Sequence, residues 1–322
     1  MKRSDLKDAW SRLIEHDSFA LACHVRPDGD CLGAALALSR VLVAMGKDVV
    51  VLSQDPVPEH YRFLPGSDAV LSETSRRDFA VGVLVDSDAP KRAGVCSEAV
   101  LSAPVLARID HHLSTDDFGD IQIVSTEISS TSELVAEIFG ANDIPIDGEI
   151  ATLLLAGIIF DTGGFRYPNA SARTFEIASH LAASGAKPAA IAREIFESRP
   201  LRAARILGRA LSSMQSTEDG TIAWAEITQN DYAELKADDA DTEGVVNTVA
   251  GVKGPRVAIL FREVEPSAIR VSLRSRDGVD VNVVAKAFDG GGHAAAAGCT
   301  VYAPLAEAEK QVIDEVRRWM ES

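Results

Sequence analysis

Three short apolar segments in the first half of this chain each lead directly into acidic or histidine side chains. The segments span residues 19–25, 79–85 and 104–109, and their length and composition predict buried strands. The polar residues at their ends are His24, Asp28 and Asp30 for the first segment, Asp86 for the second, and Asp110, His111 and His112 for the third. Because cores are packed from apolar side chains, this repeated arrangement indicates a sheet with one chemically active edge.

A strand and helix pattern around these segments limits the fold class. Residues 31–45 have the Ala- and Leu-rich composition of a helix that stops at Gly46, and residues 48–53 predict a further strand. A strand, a loop, a helix and a second strand in this order favour a parallel sheet with right-handed crossovers. We therefore predict an α/β N-terminal domain built on a doubly wound, mostly parallel sheet.

The carboxyl ends of parallel strands meet at one edge of the sheet, where ligands of such folds bind. We therefore expect the polar residues at the strand ends to lie close together. Asp161 is expected to join them, because it ends a very apolar helix whose predicted cap is Asp147. A second capping pattern, Ser130-x-x-Glu133, predicts the start of a further helix.

The composition of the chain changes after its helical middle part. Residues 212–220 are rich in Ser, Thr, Gln, Glu and Asp, and new strand patterns begin after them. A length of 322 residues also suggests two domains. We expect a metal-binding domain over residues 1–186, a helical connector over residues 187–213 and a smaller α/β domain over residues 214–322, with a cleft between the two domains.

Charge and composition disfavour several classes of protein. With 32 basic and 48 acidic residues the net charge is −16, and long duplex DNA is a poor partner because its binding requires many basic residues. No apolar run approaches the roughly 18–20 residues of a membrane span. Residues 1–17 lack a secretory signal, so we expect a cytoplasmic protein without membrane attachment. Four scattered cysteines disfavour a zinc–thiolate site and a disulfide framework: Cys23, Cys31, Cys96 and Cys299.

Many carboxylates and imidazoles at one sheet edge predict bound metal ions. Like charges repel there unless cations lie between them, and oxygen and imidazole ligands suit Mn²⁺ or Mg²⁺ better than a soft metal. The spacing of Asp28 and Asp30 lets each carboxylate serve a different ion, and Asp86 could bridge the two. Two neighbouring ions would polarise a phosphoryl oxygen and lower the pKa of a bridging water. This chemistry is the hydrolysis of a phosphoester or anhydride.

Each motif also has a purely structural interpretation. The stretch 28–30 could form only a turn, and the stretch 86–88 could cap a following helix. The occurrence of all the motifs at matching element ends favours the metal site.

The second half of the chain supplies candidate groups for an anionic substrate. Residues 251–300 contain seven basic and five acidic residues, a local charge of +2 in a very acidic chain. Arg274, near the end of a predicted strand, is the best candidate for a bidentate phosphate contact. Gly290, Gly291 and Gly292 form a turn that we expect to start a helix, whose N–H groups would bind an anion beside His293. The alternative is a plain glycine bend before an Ala-rich packing segment.

Taken together, these motifs resemble those of the DHH phosphoesterase superfamily. The four N-terminal motifs are His24-x-x-Pro27-Asp28-Gly29-Asp30-x-x-Gly33, Asp86-Ser87, Asp110-His111-His112 and Asp161-Thr162-Gly163. The turn from Gly290 to His293 resembles the glycine-His motif of the DHH-associated C-terminal domain. Arg166-Tyr167-Pro168 after Phe165 is similar to the nanoRNase and pAp phosphatase (NrnA-type) group.

The resemblance implies two Mn²⁺ ions per chain, with Mg²⁺ or Co²⁺ as alternatives. The first ion would be held by His24, Asp28 and Asp86, and the second by Asp30, Asp86, His111 and Asp161. His112 would be catalytic together with Asp86, facing the phosphate and aiding the leaving group, while Asp110 orients a histidine. Asn282 resembles a position near the nucleotide and joins Arg274 and the glycine-His turn as a substrate-binding candidate.

The activity that the resemblance implies is hydrolysis of oligoribonucleotides of two to five nucleotides to mononucleotides, and of 3′-phosphoadenosine 5′-phosphate (pAp) to AMP. A homodimer is expected on the same basis. One alternative is a phosphodiesterase for a cyclic dinucleotide such as c-di-AMP, or for its linear product pApA. An inorganic pyrophosphatase is disfavoured by the glycine-His turn, and a catalytically inactive nucleotide binder by the complete set of expected ligands.

Overall fold

The computed structural model describes residues 2–112 and 118–320. They form two compact units, Met1–Ser198 and Arg199–Ser322. The boundary falls inside the expected connector at residues 187–213, so its first helix belongs to the first unit and its second helix to the second unit. Among the described residues, no helix combines the length and the apolar composition that crossing a bilayer requires.

The first unit is a five-stranded sheet surrounded by helices. Its elements in chain order are α1 (Arg3–Ile14), β1 (Ser18–Ala22), α2 (Gly29–Ala44), β2 (Asp48–Leu52), β3 (Val81–Val85), α3 (Ser97–Leu101), β4 (Val105–Asp110), β5 (Ile121–Val124), α4 (Thr131–Ala141), α5 (Gly148–Asp161), α6 (Ala172–Ala183) and α7 (Pro188–Glu197). The strand order is β2-β1-β3-β4-β5, and all neighbours are parallel. The predicted doubly wound parallel sheet is confirmed. The strand order reverses between β1 and β3, which is where ligands bind in such sheets.

Helix α2 is the central helix of the first unit and begins at the sheet edge. The side chain of Asp28 caps it by accepting hydrogen bonds from the N–H groups of Asp30 and Cys31, both at 3.0 Å. Gly33 allows the helix to approach α5 closely, because a Cβ at this position would lie 2.4 Å from the carbonyl oxygen of Leu153. The close contact places the start of α2 beside the end of α5.

The second unit is a six-stranded mixed sheet with its own apolar clusters. Its elements are α8 (Leu201–Ser212), β6 (Gln215–Ser216), β7 (Ile222–Ile227), α9 (Gln229–Leu235), α10 (Val245–Ala250), β8 (Val257–Glu265), β9 (Ala268–Ser275), α11 (Val281–Lys286), β10 (Gly291–His293), β11 (Ala296–Val301) and α12 (Leu305–Met320). The strand order is β10-β11-β9-β8-β7-β6, and only β7 and β8 pair in parallel. The expected smaller α/β domain is confirmed.

The glycine turn differs from the prediction that it starts a helix. Gly291–His293 is strand β10, which pairs with β11 in an antiparallel hairpin. Gly292 has φ 145°, and a Cβ there would lie 2.5 Å from the carbonyl oxygen of Ala296. The Ala-rich segment therefore serves as the partner strand, and the prediction that a helix starts at the glycines is wrong.

Candidate metal centre

Eight of the predicted site residues lie at the carboxyl edge of the first sheet or at helix ends beside it. His24 follows β1, Asp86 follows β3, and β4 ends at Asp110 before the two histidines. Asp28 and Asp30 lie at the start of α2, and Asp161 is the last residue of α5. Asp86 has a left-handed backbone with φ 55°, an uncommon conformation for a residue other than glycine and one that concentrates at functional sites.

The first group of side chains surrounds the imidazole of His24. Its Nε2 atom lies 3.5 Å from Asp28 Oδ2 and 3.6 Å from Asp86 Oδ2. The other ring nitrogen, Nδ1, lies 2.9 Å from the carbonyl oxygen of Val25. An Nδ1–H that donates to this carbonyl leaves the Nε2 lone pair directed at the carboxylates, as metal-binding histidines require.

The second group surrounds the imidazole of His111. Its Nε2 atom lies 3.3 Å from Asp161 Oδ2, 3.6 Å from Asp86 Oδ1 and 4.0 Å from Asp30 Oδ2. Asp86 thus presents one oxygen to each histidine. The structure brings together both sets of residues that the resemblance implied as ligands, with Asp86 shared between them.

Electrostatics favour a cation in these groups. Asp30 is fully buried, and burial together with the neighbouring charge of Asp86 raises the pKa of Asp30 to about 7. A bound cation would remove this repulsion and keep the carboxylate ionised. Two groups made only of histidine nitrogens and carboxylate oxygens, Asp86–His111–His112 and Asp30–His111–Asp161, lie close enough to hold a metal ion, and such donors fit Mn²⁺ or Mg²⁺. Beside His24 and Asp86, the Cys31 sulfur lies within the same distance.

Sequence reasoning missed the role of the N-terminus of α4. The N–H groups of Thr131 and Ser132 donate to the two carboxylate oxygens of Asp30 at 2.7 and 2.8 Å. The Thr131 hydroxyl donates to Asp86 Oδ1 at 2.8 Å. The pattern at Ser130 predicted only a helix start, and its cap on the N–H of Glu133 is confirmed at 3.0 Å. The sequence signal that could have revealed these contacts is the run of Ser and Thr residues around Ser130, which is longer than a single helix cap needs.

His112 lies beside both groups and is held by Asp110. Its Nδ1 atom is 2.7 Å from Asp110 Oδ1 and 3.5 Å from Asp86 Oδ1. Burial lowers the pKa of His112, but the hydrogen bond to Asp110 and the charge of Asp86 outweigh it and raise this pKa above its ordinary value. A His112 that donates from Nδ1 can therefore also carry a proton on Nε2.

The substrate-binding candidates of the second unit separate onto two faces of its sheet. Arg274 on β9 lies opposite Ala296 on β11, which lies opposite His293 on β10. Directly paired residues share a face, so Arg274 and His293 flank a small alanine in one row. Arg274 Nε donates to Asn247 Oδ1 at 2.9 Å. The glycines lie in the same hairpin: Gly290 precedes β10, and Gly291 and Gly292 belong to it.

Asn282 does not join this row. It lies in α11, whose Val281 and Val284 pack on the apolar face of the same sheet with Leu273 and Ala297. The Oδ1 atom of Asn282 is buried and, among the described residues, accepts no hydrogen bond. Its proximity to a nucleotide stays a prediction.

Comparison with known proteins identifies relatives over nearly the whole chain. The model of the DHH family, N-terminal domain, matches residues 18–158, and that of the DHHA1 domain matches residues 219–322. The bifunctional oligoribonuclease and PAP phosphatase NrnA of Thermus thermophilus is 32% identical over 302 residues, covering 92% of this chain and 88% of that protein. The cyclic-di-AMP phosphodiesterase PdeA of Listeria monocytogenes is 27% identical over 97% of this chain and 49% of its own length.

A solved structure matches the fold as well. The crystal structure of an exopolyphosphatase-related protein from Bacteroides fragilis superposes with a TM-score of 0.91 at 29% identity. The match covers 99% of this chain and 97% of that chain. The fold of this chain is therefore that of a protein of known structure, over nearly the full length of both chains.

Proposed function

Because this chain belongs to the DHH family, we propose that it hydrolyses short oligoribonucleotides to mononucleotides and pAp to AMP. The chain is a hydrolytic enzyme, and the resemblance found in its motifs is confirmed by the matching family models and relatives. The substrates follow from the relatives named as oligoribonuclease and PAP phosphatase. The observation that carries the proposal is the pair of ligand groups that share Asp86.

Two Mn²⁺ ions are the proposed cofactors, one in each group. His24, Asp28 and Asp86 would hold one ion, and Asp30, Asp86, His111 and Asp161 would hold the other. When bound, such ions supply Lewis-acid activation of a phosphate and of water. The distances from each histidine to its carboxylates, 3.3 to 4.0 Å, support this assignment.

His112 is the proposed proton donor to the leaving oxygen. Asp110 binds its Nδ1 side, so the proton to be donated is the one on Nε2, and the raised pKa of His112 favours the protonated ring. A positioned histidine of this kind contributes about 10²- to 10⁴-fold to a reaction rate. Asp110 acts through His112 and is a positioning residue.

Arg274 and His293 are proposed to bind the phosphate and base of the nucleotide. Their common row on the sheet places a guanidinium and an imidazole on either side of the small side chain of Ala296. A guanidinium is well suited to bidentate recognition of phosphate. Short substrates need few such contacts, which is consistent with a net charge of −16.

The similarity to the phosphodiesterase PdeA supports a second candidate, hydrolysis of c-di-AMP or of pApA. The metal groups serve either substrate, so only relative turnover distinguishes them. We also retain the homodimer and the lack of duplex DNA binding as parts of the proposal, which light scattering and a gel-shift assay would test.

The decisive experiment compares substrates side by side. Purified protein with Mn²⁺ is offered pAp, pApA, a five-nucleotide RNA and c-di-AMP, and its metal content is measured. Asp86→Asn should abolish turnover and metal binding. Asp88→Asn, a matched change two residues away at a carboxylate 3.6 Å from Arg92, should retain both. Turnover of c-di-AMP alone would replace the main proposal with the second candidate, and full activity of Asp86→Asn would refute the metal assignment.

A further inference from the structure

Arg108 is a buried cation in strand β4, which ends directly before His111 and His112. Its side chain is 3% exposed, and it lies on β4 two residues before Asp110. Alternate residues of a strand face the same side, so Arg108 and Asp110 share a face, while Ala107 and Ile109 pack in the main core on the other. A buried arginine costs free energy unless it is paired, which makes its partner informative.

Two arms of the Arg108 guanidinium bind the same oxygen of Asp110. Arg108 Nε and Nη2 donate to Asp110 Oδ2 at 3.1 and 2.5 Å, so two arms of the guanidinium hold one atom. The guanidinium also lies over the ring of Phe118, with Cζ 4.9 Å from the ring centroid. These contacts fix the guanidinium in position and orientation.

The other oxygen of Asp110 serves only the histidine segment among the described residues. Asp110 Oδ1 accepts hydrogen bonds from the N–H of His111 at 2.8 Å, from the N–H of His112 at 3.2 Å and from His112 Nδ1 at 2.7 Å. The two oxygens of the Asp110 carboxylate thus accept hydrogen bonds from different groups, one from Arg108 and the other from the histidine segment.

We propose that Arg108 is a positioning residue, which holds Asp110 so that Oδ1 faces His112 and the His112 ring presents Nε2 to the substrate. This role rests on the proposed function, in which His112 donates a proton. The terminal torsion of an aspartate is broad, so the side chain alone does not define the plane of the carboxylate and the direction in which an oxygen meets the histidine. The two N–H groups of the Arg108 guanidinium that bind Asp110 restrict this rotation of the carboxylate.

The test compares three arginine variants by kinetics, metal affinity and NMR. Arg108→Met removes the fork while keeping an unbranched side chain, and kcat for pAp should fall about 10- to 100-fold, a large part of the contribution of a positioned histidine. KM and the affinity for Mn²⁺ should change by less than about twofold, since neither depends on the His112 proton. Arg108→Lys should recover only part of kcat, because an ammonium is a point charge without a planar fork.

Arg76→Met is the matched control. Arg76 also pairs with aspartates, Asp48 at 2.8 Å and Asp78 at 3.1 Å, and its Cζ lies 4.4 Å from the ring centroid of Phe79. It lies at the amino-terminal edge of the same sheet, so its loss should leave kcat unchanged. Equal kcat losses in Arg76→Met and Arg108→Met would overturn the proposal, as would an unchanged kcat in Arg108→Met.

NMR of ¹⁵N-labelled histidine separates this proposal from the proposed function. In wild-type protein His112 should show a protonated Nδ1 in a strong hydrogen bond, and this signature should weaken in Arg108→Met and persist in Arg76→Met. If wild-type protein hydrolyses none of the nucleotides, the proposed function fails, but the signature still decides whether Arg108 holds His112. Arg108→Lys keeps the buried charge and decides the question if Arg108→Met does not fold.

Discussion

Replacing Thr131 with valine should weaken metal binding without changing a single proposed ligand. The Thr131 hydroxyl donates to Asp86 Oδ1 at 2.8 Å, and valine keeps the shape of the side chain and the N–H that donates to Asp30. A hydrogen bond to a buried charged group is worth about 1.5–3 kcal/mol. If Asp86 loses this support, the affinity for Mn²⁺ should fall about 10- to 100-fold, the range found for residues that support metal ligands.

Titration calorimetry of Mn²⁺ into metal-free protein measures this change directly. Thr131→Ser keeps the hydroxyl and should bind nearly as wild type. Thr174→Val removes another fully buried hydroxyl, one that accepts a hydrogen bond from Ser171 at the start of α6, and should leave the affinity unchanged. Wild-type affinity in Thr131→Val, or an equal loss in Thr131→Ser, would refute the role assigned to the hydroxyl.

Three further predictions concern packing, pH and substrate. Gly33→Ala should lower the free energy of unfolding in urea by about 1–3 kcal/mol, because the new methyl group meets the Leu153 carbonyl at 2.4 Å; an unchanged midpoint would contradict the close packing. Burial and the neighbouring Glu226 raise the pKa of Glu309 from 4.5 to about 7. Between these pH values the folded state keeps a proton that the unfolded state loses, so the free energy of unfolding should fall as pH rises from 4.5 to about 7. Glu309→Gln should therefore gain in Tm relative to wild type between about pH 5 and about pH 8, and a constant Tm difference would exclude the pair as the cause. Arg274→Ala should raise KM for pAp about tenfold with little change in kcat, and steady-state kinetics would reject phosphate binding by Arg274 if KM stays constant.

The fold and the grouping of the first-unit residues were accessible from the sequence because both follow from local patterns. The segments at residues 79–85 and 104–109 became β3 and β4, and parallel pairing placed Asp86 and His111 at one edge. Asp161 could be added because an apolar helix pattern has a defined end. Each of these inferences needs only the period of a pattern and the residue at its end.

Features that depend on which segments pair or pack together were not accessible. Strand β10 has three residues, two of them glycines, and it exists because it pairs with β11. Asn282 was grouped with Arg274 although α11 packs on the opposite face of the sheet. The N–H groups of Thr131 and Ser132 became partners of Asp30 only when α4 folded beside α2, and no side-chain pattern reports the direction of a backbone N–H.

The helix-capping role of Asp28 and the helix-end bonds of Asp30 affect how function could be lost in evolution. Residues of active sites commonly reduce stability, so their replacement often strengthens a fold. Here the Asp28 carboxylate caps α2, and the Asp30 carboxylate accepts the first N–H groups of α4, so both aspartates also hold helices in place. Asp161 differs, since among the described residues its carboxylate caps no helix.

A descendant of this enzyme released from selection for catalysis would therefore keep Asp28 and Asp30 and lose Asp161 first. The Asp-Gly-Asp stretch is then a marker of the fold, while the aspartate at the end of α5 is the better marker of activity. Measuring unfolding free energies of Asp28→Ala and Asp161→Ala without metal would test this division. Asp28→Ala should lose about 1 kcal/mol because the cap of α2 is removed, and Asp161→Ala should lose none.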